Sequence, residues 1–489
     1  MKRKNRPNIL LIISDQQRVD TVGHLNRTPC KTPNLDRLAA TGVSFTRCAT
    51  PCPLCAPARC GIFTGRNPHQ VRAKWKDLAA ERAKNPGSMY DTEAVPTMTM
   101  NGGDPVDPMP FTEPLRSQGY FLDYVGKWHL NDDNLPDNFD RFEANSINSW
   151  PKGIETWAFM SDERVVTKTQ PRMSIPTPVV EDLPPEETMD AWIADVTIEH
   201  MKNRPEDRPF FLTCAYIGPH PPFKVPEPYF SMYDPTAIPV PPNFLPNERE
   251  RACNPNNYYR QICRDFGTDW EPWKKAYAAY WGFCTHIDHQ TGRILKALDE
   301  EGLTEDTLVI YCSDHGEMLG AHGLWQKYEP YEENLRVPLI FSAPWLSQNV
   351  VSDATVSLLD LMPTLMSQAG TDVPEELEGE DLSSLLAPGG ADPFRDRYVY
   401  SEHKPLGSFH NTVEWRLVTD NQWKYVWNNG DLDELFDLAN DPYETTNLID
   451  KTEAATEQSR LQNALKNHMV STTDPFGDAY VEQTFQPAG

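Results

Sequence analysis

The sequence predicts an α/β fold in which helices sandwich a large, mainly parallel sheet, followed by a smaller C-terminal subdomain with an antiparallel sheet. Three observations carry this. Short apolar runs recur between residues 8 and 342, uniformly hydrophobic as strands buried on both faces must be. Helical stretches lie between such runs, the alternation that produces a parallel sheet. After Pro388 the pattern changes to short strands joined by polar turns.

In chain order, the apolar strands are Asn8–Ser14 (NILLIIS), Phe121–Val125, Phe210–Ile217, Thr307–Cys312 and Val337–Ser342. Lys274–Glu300 reads as a helix, because Tyr277, Tyr280, Cys284, Ile287, Ile294, Leu295 and Leu298 fall on one stripe and Gly302 follows as a stop. A second helix is expected over Asp353–Gln368. Prolines concentrate in the connections, and the segment Pro219–Pro246 holds too many for a regular element. Residues 72–113 and 145–190 read as long irregular loops of the kind that wall a binding site. Tyr398–Ser401, Trp415–Thr419, Trp423–Trp427 and Asp433–Asp437 supply the C-terminal sheet. The expected division is a main α/β domain over 1–387 and a subdomain over 388–489.

The 489 residues include 45 Lys+Arg against 71 Asp+Glu, a formal charge of -26. Nucleic acid and anionic membrane surfaces need a positive footprint, so both are excluded as main partners. Screening acts over about 8 Å, so a local basic pocket can still take a small anion. The run Ile9–Ile13 is shorter than the roughly 7–15 residues of a signal-peptide core. No stretch reaches the about 20 apolar residues of a membrane span. A cytoplasmic protein is expected, or a periplasmic or secreted one if a leader has been removed. Ten cysteines are too sparse for a disulfide framework, yet Cys30, Cys48, Cys52, Cys55 and Cys60 cluster. Oligomeric state is left open.

Ligands of open α/β sheets bind beyond the carboxyl ends of the strands. Here those ends carry Asp15-Gln16, Gly126-Lys127-Trp128-His129, Pro219-His220-Pro221 and Ser313-Asp314-His315-Gly316. Asp15, Asp314 and His315 are the donor types that hold a divalent cation. Lys127, His129, His220 and Lys327 add cationic and proton-transferring groups. Metal, lysine and histidine around one pocket suit hydrolysis of a phosphate or sulfate ester. The spacing Cys48-x3-Cys52-x2-Cys55-x4-Cys60 also permits a zinc site, although no paired CxxC or HxxxH framework accompanies it.

Cys55-Ala56-Pro57-Ala58-Arg59, followed by Thr64-Gly65-Arg66, resembles the signature of the type I, formylglycine-dependent sulfatases of the alkaline phosphatase superfamily. The resemblance continues through Pro7–Asp15, Thr32–Leu38 with Gly42–Phe45, Gly126–His129, Pro219-His220, Ser313–Glu317 and Lys327 before Arg336-Val337-Pro338. Trp423–Tyr425, Glu434–Leu438 and Asp441-Pro442 resemble the family's C-terminal subdomain.

The resemblance implies an alkaline phosphatase-like fold and a sulfate ester hydrolase whose Cys55 a maturation enzyme oxidises to formylglycine. The hydrated aldehyde is then the nucleophile. One divalent cation, Ca2+ before Mn2+ or Mg2+, is implied on Asp15, Gln16, Cys55, Asp314 and His315. Arg59 would fix the nucleophile and the carboxylates, and Lys127 and Lys327 would bind sulfate oxygens. His129 would be the base toward the second hydroxyl and His220 the acid toward the leaving alcohol and a substrate contact. Many family members carry two Asp after the first strand. Asp15-Gln16 and Asp314-His315 instead resemble choline-sulfatase-like enzymes and the phosphonate monoester hydrolases, a sister group using the same nucleophile. That group is the alternative, with Lys127-x-His129 pointing to the sulfatases. A non-catalytic binder of sulfated ligands ranks below both. The expected substrate is a small sulfated molecule, a carbohydrate sulfate among the options, since an acidic exterior disfavours a densely sulfated polymer. Lys74, His69, His403, Trp75, Trp150, Trp157, Trp270 and Trp273 are weaker candidates for substrate contact.

Overall fold

A computed structural model describes residues 6–71, 111–128, 139–144, 176–244, 258–267, 269–390, 392–394, 396–404 and 413–485. The strands before the C-terminal region are β1 (Asn8–Ser14), β2 (Gly42–Ala49), β3 (Phe121–Gly126), β4 (Arg141–Ala144) and β5 (Val179–Glu181). They continue as β6 (Phe210–Ala215), β7 (Lys224–Pro226), β8 (Thr307–Ser313), β9 (Arg336–Ser342) and β10 (Val350–Ser357). Eight of these form one sheet in the order β10-β2-β9-β8-β1-β6-β3-β4. All its pairings are parallel except those of β9, which runs antiparallel to β2 and β8.

Alternation along the central strands explains their uniform hydrophobicity. Leu10, Ile12, Leu212, Cys214, Val309 and Tyr311 face one core. That side is covered by the helices α3 (Met189–Lys202) and α4 (Trp270–Glu300), following α1 (Pro33–Ala40) and α2 (Cys55–Thr64) in the chain. Ile9, Leu11, Ile13, Phe211, Leu308 and Ile310 face the opposite core, with Ile62 and Phe63 of α2 and Leu361, Leu365 and Met366 of α5 (Leu361–Ala369). Every residue of β1 from Ile9 to Ile13 is fully buried. Each such side chain contributes about 1.5–3 kcal/mol on leaving water, so the centre of the sheet is held by both layers.

The C-terminal sheet is antiparallel, in the order β11 (Val399–His403), β12 (Trp415–Thr419), β13 (Trp423–Asn428), β14 (Glu434–Asp437). Val418 and Tyr425 pack against Leu461, Leu465 and Met469 of α6 (Ala455–Ser471). Among the described residues, no helix is long and apolar enough to cross a membrane.

The expected helix over Asp353–Gln368 is corrected. β10 runs on to Ser357, because Thr355 and Val356 are β-branched and pair with Arg47 and Cys48 of β2. Ser357 then caps the turn Leu358–Asp360, its side chain accepting from the Leu359 amide, and α5 starts at Leu361. The proline-rich segment also holds regular structure, since Lys224–Pro226 pairs with Val179–Glu181 outside the main sheet. Gly42–Ala49 is a strand although Ser44, Thr46 and Arg47 interrupt its apolar pattern.

Candidate active site

Strand register builds the site. Ser14 of β1 pairs with Ser313 of β8, so Asp15 and Asp314 leave the sheet side by side. Gly126 of β3 pairs with Ala215 of β6, which brings Lys127 to the same edge. Gly126 has φ 98°, and a Cβ there would collide with the Ala215 carbonyl, so only glycine lets the chain turn here. The Lys127 amide then donates to that same carbonyl at 2.8 Å.

Cys55 is the first residue of α2, and every residue of that helix is buried. The helix therefore presents its positive end at the thiol. Cys55 Sγ lies 3.1 Å from His315 Nε2 and 3.7 Å from Asp15 Oδ1. Lys327 Nζ donates to the same sulfur at 2.9 Å. Four residues along, about one turn of helix, Arg59 is fully buried and uses its whole fork. Its Nε donates to Asp314 Oδ2 at 2.9 Å, its Nη2 to Asp15 Oδ2 at 3.2 Å and its Nη1 to the Lys127 carbonyl at 2.8 Å. Lys127 Nζ also contacts Asp15 Oδ2. Burial and Cys55 oppose the Asp15 charge, but Lys127, His220 and Arg59 prevail and hold its carboxyl well below the usual range.

Gln16 takes a left-handed backbone, φ 67°, which costs a non-glycine residue energy and is held by four neighbours. Its amide donates to Asp314 Oδ1 at 3.1 Å and its carbonyl accepts from the Tyr280 hydroxyl at 2.8 Å. The side-chain Nε2 donates to Glu317 Oε2, and Oε1 accepts from Lys327 Nζ at 3.2 Å. Glu317 is itself fixed, because its Oε1 accepts from the Leu319 and Gln326 amides at 2.9 and 2.7 Å.

The two histidines are oriented by backbone carbonyls. His315 Nδ1 faces the Gly316 carbonyl at 2.9 Å, which leaves Nε2 turned to Cys55. His220 Nδ1 faces the Pro221 carbonyl at 2.6 Å and Nε2 faces Lys327 Nζ at 2.9 Å. Burial and the Lys327 ammonium push His220 down to about 4.

Ligand atoms of Asp15, Cys55, Asp314 and His315 lie within 4.8 Å of one another, and all four residues are buried. Two carboxylates and an imidazole with its Nδ1 already bonded to a carbonyl form a donor set that fits a divalent cation. Gln16 adds an amide oxygen on the same edge.

The structure thus joins Asp15, Gln16, Cys55, Arg59, Lys127, His220, Asp314, His315 and Lys327 in one contact network. His129, Lys74, Trp75, Trp150 and Trp157 lie outside the described residues. Trp273 is a buried core residue and Trp270 is partly buried against it around Phe244, with indole nitrogens bonded to the Gly267 and Ile238 carbonyls, so both serve in packing. His69 is occupied by Glu402, and His403 packs on Tyr328 and Trp415. The cysteine-spacing reading also resolves. Among the described residues, groups close enough to share an ion include Cys55 but none of Cys48, Cys52 and Cys60. Burial pushes all three of those thiols up. Glu317, within the segment Ser313–Glu317, holds Gln16, and Asp190, which no local pattern marks, holds the turn before His220.

Comparison with known proteins identifies the family and the fold. A family model described as sulfatase matches residues 7–371, and one described as N-sulphoglucosamine sulphohydrolase, C-terminal, matches residues 320–471. The chain is 30% identical over 490 residues to the uncharacterized sulfatase YidJ of Escherichia coli (strain K12), covering 96% of this chain and 88% of the relative. Its fold matches a structure solved in complex with its substrate D-glucosamine-2-N,6-O-disulfate, with TM-score 0.73, 20% identity and coverage of 97% and 99%. It also matches the phosphonate monoester hydrolase of Agrobacterium radiobacter, with TM-score 0.71, 24% identity and coverage of 96% and 95%.

Proposed function

This chain belongs to the sulfatase family and is a hydrolase of sulfate esters, and from that premise we propose that Cys55, Arg59, Lys127, His129, His220 and Lys327 are its catalytic residues and that Asp15, Gln16, Cys55, Asp314 and His315 hold its divalent cation. The observation that carries this reading is convergence. Four potential ligands lie within 4.8 Å of one another, and Arg59, Lys127 and Lys327 all touch them.

The family works with a formylglycine and a metal ion. In this reading a maturation enzyme converts Cys55, and the hydrated aldehyde offers one hydroxyl to attack sulfur and a second whose deprotonation expels sulfate. A bound dication, Ca2+ by the oxygen-rich donors with Mn2+ or Mg2+ as alternatives, would supply Lewis-acid charge against the sulfate oxygens. Arg59 sets the spacing of Asp15 and Asp314 through a rigid fork that a lysine cannot reproduce. Lys327 and Lys127 bind sulfate oxygens from two sides. His220, neutral here with Nε2 facing the Lys327 ammonium, takes a proton at Nε2 when substrate binds and passes it to the leaving alcohol. An anionic substrate beside Lys327 offsets the repulsion that keeps this imidazole neutral. His129 takes the proton of the second hydroxyl.

A small sulfated molecule is the substrate class. A sugar sulfate is the finer proposal, supported by the sugar sulfate bound in a structural neighbour and by a charge of -26 that repels densely sulfated polymers. The same reading keeps 1–387 as the catalytic domain and 388–489 as its subdomain.

The test is the mass of the Cys55 peptide from enzyme made with a maturation enzyme, together with turnover of an aryl sulfate. Aldehyde at Cys55 and loss of turnover in Cys55→Ala are expected. Full turnover with an unmodified thiol would overturn the mechanism, and sulfate binding without turnover would favour a binding protein. The Asp314-His315 pair and the likeness to a phosphonate monoester hydrolase fold favour one second reading. An aryl phosphonate monoester cleaved decades faster than the sulfate would establish it.

A further inference from the structure

Asp190 lies far from the reacting groups in sequence and in no recognisable motif, yet it governs the turn that delivers His220. It is the second residue of α3, and it is 4% exposed. Thr188 caps the helix, its hydroxyl accepting from the Ala191 amide at 3.3 Å, and also meets His286 Nε2 of α4 at 3.0 Å. The start of α3 is therefore a fixed platform. From it, Asp190 Oδ1 accepts two backbone N–H groups, Ile217 at 2.9 Å and Gly218 at 3.1 Å. These are the amides at which the chain leaves β6, beyond the ladder partners that the strand supplies. Buried amides without an acceptor cost about 1–3 kcal/mol each, so the carboxylate fixes this backbone strongly.

The next two bonds pass the constraint on. The His220 amide donates to the Ile217 carbonyl at 3.2 Å, closing the turn, and the Asp15 amide donates to the Gly218 carbonyl at 3.1 Å. Beyond the turn, His220 reaches Lys327 and hence Cys55. One carboxylate oxygen thus sets the backbone from which the proposed acid projects. A misplacement of about 1 Å can cost about 10²-fold in rate, and general acids contribute about 10²–10⁴-fold.

We propose that Asp190 is a positioning residue, which aims His220 at the leaving-group oxygen by clamping the Ile217 and Gly218 amides. The proposal rests on the acid role of His220 given above. Asp190 donates no proton and touches no substrate.

The test compares nitrophenyl sulfate, whose leaving group needs little protonation, with phenyl sulfate, whose leaving group needs it. The full-length, aldehyde-bearing, metal-loaded enzyme is used throughout. His220→Ala is expected to lose far more kcat on phenyl sulfate than on nitrophenyl sulfate. Asp190→Ala should show the same preference, with at least about a tenfold difference between the two substrates and little change in KM. Asp190→Asn keeps an oxygen acceptor at the same position and should restore wild-type selectivity. The double variant Asp190→Ala/His220→Ala should be no worse than His220→Ala alone. If Asp190→Ala fails to fold, Asp190→Glu, which displaces the acceptor by one methylene, carries the same test. An equal loss on both substrates, or additive losses in the double variant, overturns the proposal while leaving His220 as the acid. If His220→Ala itself shows no leaving-group preference, the acid assignment falls and the proposal falls with it.

Discussion

Lys327 Nζ stands 2.9 Å from Cys55 Sγ, across 272 residues of sequence, and both residues are buried. The ammonium is held against the proposed nucleophile position, with Gln16 and His220 as its other partners. A cation fixed before substrate arrives costs no reorganisation when charge develops.

Removing that cation should therefore act on turnover. Lys327→Ala is expected to lower kcat/KM for an aryl sulfate by about a hundredfold or more. Lys327→Arg should recover little, because a planar fork does not fit a site built for a point charge. Steady-state kinetics on enzyme with matched aldehyde content checks both.

Arg59 should decide folding as well as catalysis. It is 0% exposed and neutralises two carboxylates, so Arg59→Ala leaves buried charge uncompensated. A loss of about 3–5 kcal/mol is expected in urea unfolding of the metal-free protein. Restoring part of that stability with a divalent cation would show that the ion and Arg59 neutralise the same groups.

Gln16 and Glu317 should behave as a coupled pair. Glu317 Oε2 accepts from Gln16 Nε2, so Gln16→Glu sets two carboxyl groups against each other in a buried site. The single change should cost about 2 kcal/mol or more, and the exchange Gln16→Glu/Glu317→Gln should return much of it. A double-mutant cycle by denaturant unfolding measures the coupling. Additive losses would show that the two side chains act independently.

The His69–Glu402 pair predicts a pH window for stability. Burial opposes the Glu402 charge, but His69 and Arg416 overcome it and hold the carboxyl down to about 2. Burial likewise opposes a charged His69, and Glu402 overcomes it and raises the imidazole. The Glu402 contribution is complete above about 4.5 and is lost as pH falls through about 2. The His69 contribution is complete below about 6.5 and is lost as pH rises through its raised value. Stability from this pair is therefore greatest between those limits. Glu402→Gln should flatten both arms of a stability curve measured by urea unfolding across that range.

Several elements could be read from the chain because their physics is local. The strand Asn8–Ser14 emerges with its expected ends, since a strand buried on both faces must be apolar at each position. Lys274–Glu300 gains only one turn at its start, at Trp270. Asp15, Lys127, His220 and Asp314 could be assigned to one edge because parallel strands all deliver their carboxyl ends there. The segment Asp353–Gln368 misled because its apolar residues suit a strand followed by a helix as well as one helix. The helix α6 has a weak apolar stripe, because its buried side chains, Leu461, Ala464, Leu465 and Met469, are spread among polar ones.

Residue types at the strand ends and at the head of α2 can be read along the chain, because periodicity and spacing are properties of sequence neighbours. How those residues meet depends on packing between elements far apart in the chain. The Ser14–Ser313 register sets Asp15 against Asp314, Glu317 fixes the Gln16 amide, Asp190 clamps the turn before His220, and Glu402 takes His69 out of the candidate site. Each of these contacts is chosen by packing between distant elements, where burial forces every polar group to find a partner and local pattern does not say which.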